Sequence, residues 1–195
     1  MKVVVKCKLL ISIVLSGLML LMSSCGGNRE VPKITNAEIT AADFVQKDGK
    51  IAFPYAPPEL AKENFSLYMG ISYEDYSTGL IGINDLKDNP LEFSFYDMRA
   101  VCLVAFNFSE TVETVLIQII DDGRTGQQWS ESSEALLNDL SKYMQPQNST
   151  TDFISKDGKT EVYVSHCLIE SVDSQGYVAQ IGDETRIEFV KIIYN

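Results

Sequence analysis

The residue types that most often carry out chemistry are scarce in this chain. Its 195 residues include one histidine, His166, and two of its four cysteines, Cys102 and Cys167, lie well inside the sequence. A strand through His166 would place Cys167 on the opposite face, so these two neighbours could not act as a base and a nucleophile. Cys102 could meet His166 in the fold, but no third group that would orient the histidine is recognisable. We therefore predict no catalytic residue.

Metal and cofactor sites are not predicted either. A structural zinc site needs about four His or Cys ligands, and the chain after Cys25 contains only His166, Cys102 and Cys167. Acidic stretches at 84–89 and 121–123 carry the oxygen ligands that calcium prefers, but they lack the spacing of a calcium loop and fit acidic turns better. No phosphate-binding glycine loop or nucleophile elbow occurs. A carboxylate pair for hydrolysis stays open, because 27 acidic residues allow many pairs.

Two further groups of side chains have both a functional and a structural interpretation. Aromatic rings that could stack on a sugar or line a partner site are those of Tyr68, Tyr73, Tyr76 and Trp129. Half-buried positions in strands would explain these rings equally well. Cys102 and Cys167 could form a disulfide outside the cytoplasm, but each lies in an apolar run that is typical of a buried thiol.

The first 24 residues are typical of a secretory signal peptide. Lys2, Lys6 and Lys8 precede an apolar run of 13 residues from Leu9 to Leu21, which small residues follow. A helix that spans a bilayer needs about 20 apolar residues, so this run is short for that purpose. The order of positive, apolar and small residues predicts a segment that is cleaved from the mature chain.

The residues from Leu21 to Cys25 resemble the lipobox of bacterial lipoproteins, in which an aliphatic residue and small residues precede a cysteine. The resemblance implies that the Cys25 thiol receives a diacylglycerol, that Cys25 becomes the first residue, and that acyl chains such as palmitate hold the protein on a membrane of the cell envelope. The absence of Asp after Cys25 favours the outer membrane or the cell surface. Met22 departs from the usual Leu, and an ordinary secretory signal with a coincidental cysteine stays open.

The composition after the signal indicates one folded, acidic domain. Removing residues 1–24 leaves 13 basic and 27 acidic residues, a formal charge of −14. This balance argues against nucleic acid as a partner, because phosphates require a basic face. It also argues against adsorption to anionic lipid, so membrane attachment would depend on Cys25. We predict a flexible tether at 25–36 and a single domain at 37–195, with no prediction of the oligomeric state.

The pattern of apolar residues predicts an α+β domain with a largely antiparallel sheet and two or three helices on one face. We predict helices at 59–64, at 98–106 with Asp97 as the N-cap, and from Trp129 to Met144. A buried strand would fit 98–106 as well. We predict strands at 66–73, 79–83, 91–95, 161–172, 177–181 and 186–194. The last three would form a meander with turns at 174–176 and 182–183.

A short phrase occurs twice in the chain. The residues Lys-Asp-Gly-Lys stand at 47–50 and again at 156–159, and Asp-Phe precedes both copies at the same spacing. Asp-Gly between apolar residues predicts a β-hairpin. A duplicated domain would also explain the recurrence, but only 47 residues remain from Ser149 to the end. We interpret the two copies as two hairpins with the same turn chemistry.

A weaker resemblance concerns the middle of the domain. Residues 103–123 look like the helix, turn and strand of GerMN-type domains in envelope lipoproteins. The resemblance covers this stretch alone, and it implies no site residues.

The sequence favours a lipid-anchored, non-enzymatic envelope domain that binds a partner protein or a ligand. An envelope hydrolase with an unrecognised carboxylate pair stays open, as does a structural or regulatory lipoprotein of a membrane complex. A deep cleft with convergent carboxylates would favour the hydrolase. A flat, exposed apolar patch would favour partner binding.

Overall fold

The computed structural model describes residues 34, 37–77, 91–172 and 178–195, and at 169–172 and 178–184 it describes the backbone alone. The predicted signal, Cys25 and the predicted strand at 79–83 lie outside these residues. The described strands are β1 (Glu38–Ile39), β2 (Glu92–Phe95), β3 (Met98–Phe106), β4 (Val112–Ile119), β5 (Gln145–Pro146), β6 (Asp152–Ile154), β7 (Thr160–Val172) and β8 (Val178–Tyr194). The described α-helices are α1 (Phe65–Met69), α2 (Tyr73–Ser77) and α3 (Gly126–Tyr143), and short 3-10 helices lie at Ala41–Phe44 and Lys62–Asn64.

The strands form one sheet in the order β1-β2-β3-β4-β8-β7-β6-β5. Only β1 and β2 are parallel neighbours among these strands, and every other pair is antiparallel. One hydrophobic core includes residues of α1, α3 and the central strands. The predicted α+β class and largely antiparallel sheet are therefore confirmed. None of the described helices has the length and apolar character needed to cross a bilayer.

The run at 98–106 is strand β3, so our helix prediction there is wrong. Tyr96 has φ 52° and Asp97 has φ 61°, and Phe95 pairs directly with Met98 across them. Two consecutive residues with positive φ between paired strands make a type I′ hairpin turn. Asp97 is therefore a turn residue and not a helix cap.

The burial of β3 explains why its periodicity was ambiguous. The residues of this strand that face the core are Met98, Ala100, Cys102 and Val104. Val101, which points to the opposite face, is also buried. The opposite face also carries the half-buried Leu103 and the exposed Ala105, so the strand lacks the alternation of apolar and polar residues by which a strand is recognised, although only one of its faces is fully buried.

The C-terminal meander is confirmed, because β5, β6, β7 and β8 are neighbours in chain order. Its last two predicted strands, however, belong to the single strand β8, so the predicted turn at 182–183 is wrong. Leu168 pairs with Thr185 and Glu170 with Gln180. The extra residues of β8 between these pairs form an irregularity in the ladder, which is a common place for glycine in a strand. The predicted turn at 174–176 lies outside the described residues.

Two helices differ in how well the sequence predicted them. Residues 65–69 form α1 where we predicted a strand, and its buried residues Phe65 and Met69 lie one helical turn apart. Helix α3 confirms the prediction from Trp129 onwards, and a capping box between Thr125 and Gln128 begins it. Its buried residues are Trp129, Ser132, Leu136 and Leu140. Ala135, next to Leu136 in this helix, is exposed.

Candidate functional site

The two copies of the repeated phrase form similar turns. Gly49 has φ 82° and Gly158 has φ 73°, a region that glycine enters without steric cost. The Gly49 N–H donates to the Gln46 carbonyl at 2.9 Å, and the Gly158 N–H donates to the Ser155 carbonyl at 2.9 Å. Glycine at the fourth position is typical of a type I turn. Both predicted Asp-Gly hairpins are therefore present.

The aspartates hold the two turns in the same way. The Asp48 carboxylate accepts the Lys50 N–H at 3.2 Å, and the Asp157 carboxylate accepts the Lys159 N–H at 3.2 Å. The Lys50 ammonium, 2.7 Å from Asp48, lowers the pKa of that carboxyl. The Ser155 hydroxyl, which donates at 2.6 Å, lowers the pKa of Asp157. Both aspartates are therefore charged at neutral pH.

A buried hydrogen bond joins the two turns side by side. The Thr160 hydroxyl donates to the Ile51 carbonyl at 2.7 Å, and the two residues are 109 positions apart. This is also the spacing of the two phrases, so the bond links equivalent positions of the two copies. Because an unpaired buried carbonyl would be costly, the bond favours this placement of the turns.

A tyrosine on β8 supports the segment behind the first turn. The Tyr194 hydroxyl accepts the Phe53 N–H and donates to the Ala56 carbonyl, each at 2.9 Å. Burial raises the pKa of this hydroxyl, so it keeps its proton and serves both partners. The first turn is thus attached to the last strand of the sheet.

Two adjoining cavities of about 540 and 380 Å³ lie between the turns. They share Asp48, Lys50, Ile51 and Asp157, and we call them together the twin-turn cleft. The lysines that line the cleft are Lys47, Lys50, Lys142, Lys156 and Lys159, and its acidic residues are Asp48, Glu59 and Asp157. The cleft thus has a side-chain charge of +2, on a chain whose net charge is −11.

The lysines of the cleft differ in whether they have a partner. Lys50 pairs with Asp48, and Lys142 pairs with Asp139, each at 2.7 Å. The ammonium groups of the other three make no ion pair with another described residue. These three are Lys47, Lys156 and Lys159. Since they lie on exposed turns at the edge of a cavity, they are available to a bound anion.

A second concavity of about 620 Å³ lies beside the type I′ turn, and we call it the Tyr96 pocket. Its lining residues are Tyr96, Asp97, Asp122, Gly123, Arg124, Gln128, Glu131, Ser132 and Ala135. The Tyr96 hydroxyl accepts the Ala41 N–H at 2.8 Å and donates to Asp139 at 2.9 Å. Burial is the main cause that raises the pKa of this hydroxyl.

Contacts within the Tyr96 pocket hold α3 against the turn. The Ser132 hydroxyl donates to the Tyr96 carbonyl at 3.1 Å. Arg124 pairs with Asp122 at 3.1 Å and donates to Ser132 at 3.3 Å. The main polar groups of this pocket are thus engaged in the fold.

The four aromatic residues that we considered as ligand contacts line neither concavity. Trp129 is buried, and the guanidinium groups of Arg124 and Arg186 each lie 5.8 Å from its ring, so it is not free to stack on a ligand. The Tyr76 hydroxyl accepts the Val104 N–H at 2.7 Å and donates to the Val104 carbonyl at 2.9 Å. Tyr68 and Tyr73 pack half-buried against the core.

The thiols and the histidine lie apart from the twin-turn cleft. Cys102 and Cys167 are free thiols, and burial raises the pKa of Cys102. The His166 Nε2 atom lies 2.8 Å from the Ser133 hydroxyl, and desolvation lowers the pKa of this histidine. No carboxylate within the described ranges accepts a hydrogen bond from its other ring nitrogen.

The acidic stretch at 121–123 is part of the loop between β4 and α3. The Asp121 carboxylate accepts the Gly123 N–H at 3.0 Å, and Asp122 pairs with Arg124. The stretch at 84–89 lies outside the described residues. Among those that are described, no group of three or more His, Cys, Asp or Glu side chains is placed to hold a metal ion.

Sequence reasoning missed the lysines of the twin-turn cleft as a group. The signal that could have found them is the repeated Lys-Asp-Gly-Lys phrase, which we interpreted only as turn chemistry. Lys142 has no such signal, because it lies on α3.

Comparison with known proteins finds no family model, no curated protein and no solved structure that matches this chain.

Proposed function

We propose that this chain is a lipid-anchored lipoprotein of the cell envelope whose folded domain binds a partner or ligand in the twin-turn cleft. The observation that carries the proposal is the cleft itself. Two copies of one phrase, far apart in the sequence, bring lysines to one concave surface of an acidic chain. Two or more acyl chains on Cys25 would suffice for stable anchoring in the outer membrane or at the cell surface.

The ionisation of the cleft favours binding over hydrolysis. Asp48 and Asp157 both have a lowered pKa and are charged at neutral pH. A general acid needs a proton near the working pH and hence a raised pKa. The two aspartates instead hold the turns that display the lysines.

The anchor is tested by the variant Cys25→Ser. We expect this variant to lose processing before residue 25 and to leave the membrane fraction, because the lipid would have no thiol to join. Membrane fractionation and the mass of the N-terminal peptide measure both effects. A Cys25→Ser chain that is still cut before residue 25 and stays on the membrane contradicts the anchor.

The binding role is tested by photo-crosslinking in the cells that produce the protein. A crosslinking amino acid at Glu59, which lines the larger cavity, should give a specific adduct. Glu63, an exposed residue of the same charge outside the cleft, provides the matched control. Identical results at Glu59 and Glu63 would contradict a binding site in the cleft.

One contact favours a second candidate function, an envelope hydrolase that uses a serine. The Ser133 hydroxyl lies within hydrogen-bond distance of a histidine whose lowered pKa keeps it in the basic form. We then expect a fluorophosphonate probe to label Ser133, and the variants Ser133→Ala and His166→Gln to abolish the labelling. An unlabelled native chain would exclude this reaction at Ser133.

A further inference from the structure

We infer that the twin-turn cleft takes an extended acidic segment of a partner protein, with one carboxylate in each cavity. This inference deepens the proposed binding function and rests on it. It is carried by the placement of the lysines, by the apolar surface between them and by the two charged aspartates.

The lysines of the cleft lie at two positions. Lys47 and Lys159 line the larger cavity, whereas Lys142 and Lys156 line the smaller one. Lys50 lines both cavities, and its charge is already paired with Asp48. Each cavity therefore offers at least one lysine without an ion pair among the described residues, and a ligand with two separated anionic groups would meet both.

Apolar surface connects the two positions. Ile51 lines both cavities, Ala52 and Pro58 contribute to the larger one, and Val45 and Tyr143 contribute to the smaller one. A peptide segment presents acidic and apolar side chains in turn along its length. Such a segment could place its carboxylates on the lysines and an apolar side chain on Val45 and Tyr143, which are less buried than Ile51.

The aspartates of the cleft disfavour a compact polyanion. Asp48 and Asp157 line both cavities and are charged, so a dense cluster of negative charge would be repelled. Carboxylates spaced along a peptide bring one negative charge to each cavity, so the two aspartates repel them less than they repel a dense polyanion. The chemistry of the cleft thus favours an acidic peptide over an oligophosphate.

The test uses the full chain, purified in detergent, and a fluorescent peptide that has two glutamates separated by apolar residues. We expect this peptide to bind and its affinity to fall with added salt. Binding should be lost when glutamine replaces both glutamates. The variant Lys47→Gln/Lys156→Gln should weaken binding roughly three- to tenfold, the scale of two exposed ion pairs. Fluorescence anisotropy gives the dissociation constants.

A matched control removes the same charge elsewhere. The variant Lys62→Gln/Lys191→Gln changes two lysines that do not line the cleft, and it should leave peptide binding within about twofold. Equal weakening in the two double variants would mean attraction by overall charge alone and would overturn the inference. Tripolyphosphate that binds with the same dependence on Lys47 and Lys156, while the peptide does not bind, would overturn it as well.

The result also separates this inference from the proposed function. A specific crosslink at Glu59 in cells together with no binding of the glutamate peptide leaves the cleft as a binding site and rejects the acidic segment. Binding of the peptide that depends on Lys47 and Lys156 supports the acidic segment. If Glu59 and Glu63 then give the same crosslinks, the cleft binds an acidic peptide in the purified chain, but the proposed binding function in the cell is rejected.

Discussion

The twin-turn cleft and the Tyr96 pocket are both concave surfaces lined by charged groups, and these charged groups have different surroundings. In the Tyr96 pocket, Arg124 is bound to Asp122 and Ser132, and the Tyr96 hydroxyl bridges Ala41 and Asp139. In the twin-turn cleft, three lysines on exposed turns make no ion pair with another described residue. The first set of contacts joins elements of the fold, whereas the second set of charges faces a cavity.

The contacts that each charged group already makes distinguish the two concave surfaces. A polar group that already has its partners contributes to stability and gains little from a ligand. A charged group without a partner contributes little to the stability of the fold, and it can form a new contact with a ligand. Volume does not decide between them, because the Tyr96 pocket, at about 620 Å³, is larger than either cavity of the cleft, at about 540 and 380 Å³, and smaller than the two together.

The variant Tyr96→Phe should change the free energy of unfolding more than the other variants that test this difference. It removes the hydroxyl that accepts the Ala41 N–H, so it should lower the free energy of unfolding by about 1–3 kcal/mol. Urea unfolding measures the change. Tyr143→Phe is the matched control, because no hydrogen bond of its hydroxyl is present among the described residues. Equal stability of the two variants would contradict a structural role for the Tyr96 pocket.

The variant Thr160→Val tests whether the bond to Ile51 holds the two turns of the cleft together. It keeps the shape of the side chain but leaves the Ile51 carbonyl without its donor, so we expect a loss of about 1–2 kcal/mol in unfolding free energy. Peptide binding to the cleft should also weaken, because the bond holds the two turns together. Thr114→Val, at a half-buried position of β4, is the control. Full stability with Thr160→Val would show that other contacts place the turns.

The variant Lys47→Gln/Lys156→Gln should leave the fold nearly unchanged. Both lysines are exposed and lack an ion pair with the described residues, so the melting temperature should stay within about 2 °C of the native value. Thermal unfolding measured by circular dichroism is the test. A large drop in melting temperature would mean that these lysines serve the fold, and the contrast with the Tyr96 pocket would disappear.

His166 lies in neither concavity and should give the smallest effect. Desolvation lowers its pKa in the folded state, whereas the unfolded chain has an ordinary value of about 6.5. As the pH falls below about 6.5, the unfolded chain binds a proton first, so the unfolding free energy decreases. The variant His166→Gln should lose less stability than the native chain between about pH 7.5 and about pH 5.5 in urea unfolding. An equal loss in both would contradict the lowered pKa.

Local patterns predicted the elements whose signals agree with their surroundings. In the predicted strand at 91–95, Leu91, Phe93 and Phe95 alternate with polar residues, and all three are buried beside or in β2. In the predicted helix from Trp129 to Met144, Leu136 and Leu140 lie one helical turn apart, and both are buried in α3. These predictions succeeded because one buried face leaves a regular period in the sequence.

Other elements depend on neighbours that local patterns do not contain. The run at 98–106 became a strand because β2 and β4 pair with it on either side. Gly182 and Asp183, which we interpreted as a turn, lie within β8 at an irregularity between two stretches of pairing with β7, and the pairing on either side keeps this segment in one strand. Tertiary contacts of this kind routinely override propensity.

Composition and residues a few positions apart account for the acidic balance of the chain, the two Asp-Gly turns and helix α3. The placement of the two turns side by side depends on the tertiary fold, since the bond from Thr160 to Ile51 joins residues 109 positions apart. The tertiary fold likewise brought Ser133 to His166 and placed Lys142 of α3 beside the smaller cavity. The physical reason is that burial and pairing of distant segments decide which exposed charges become neighbours, and no local pattern records that choice.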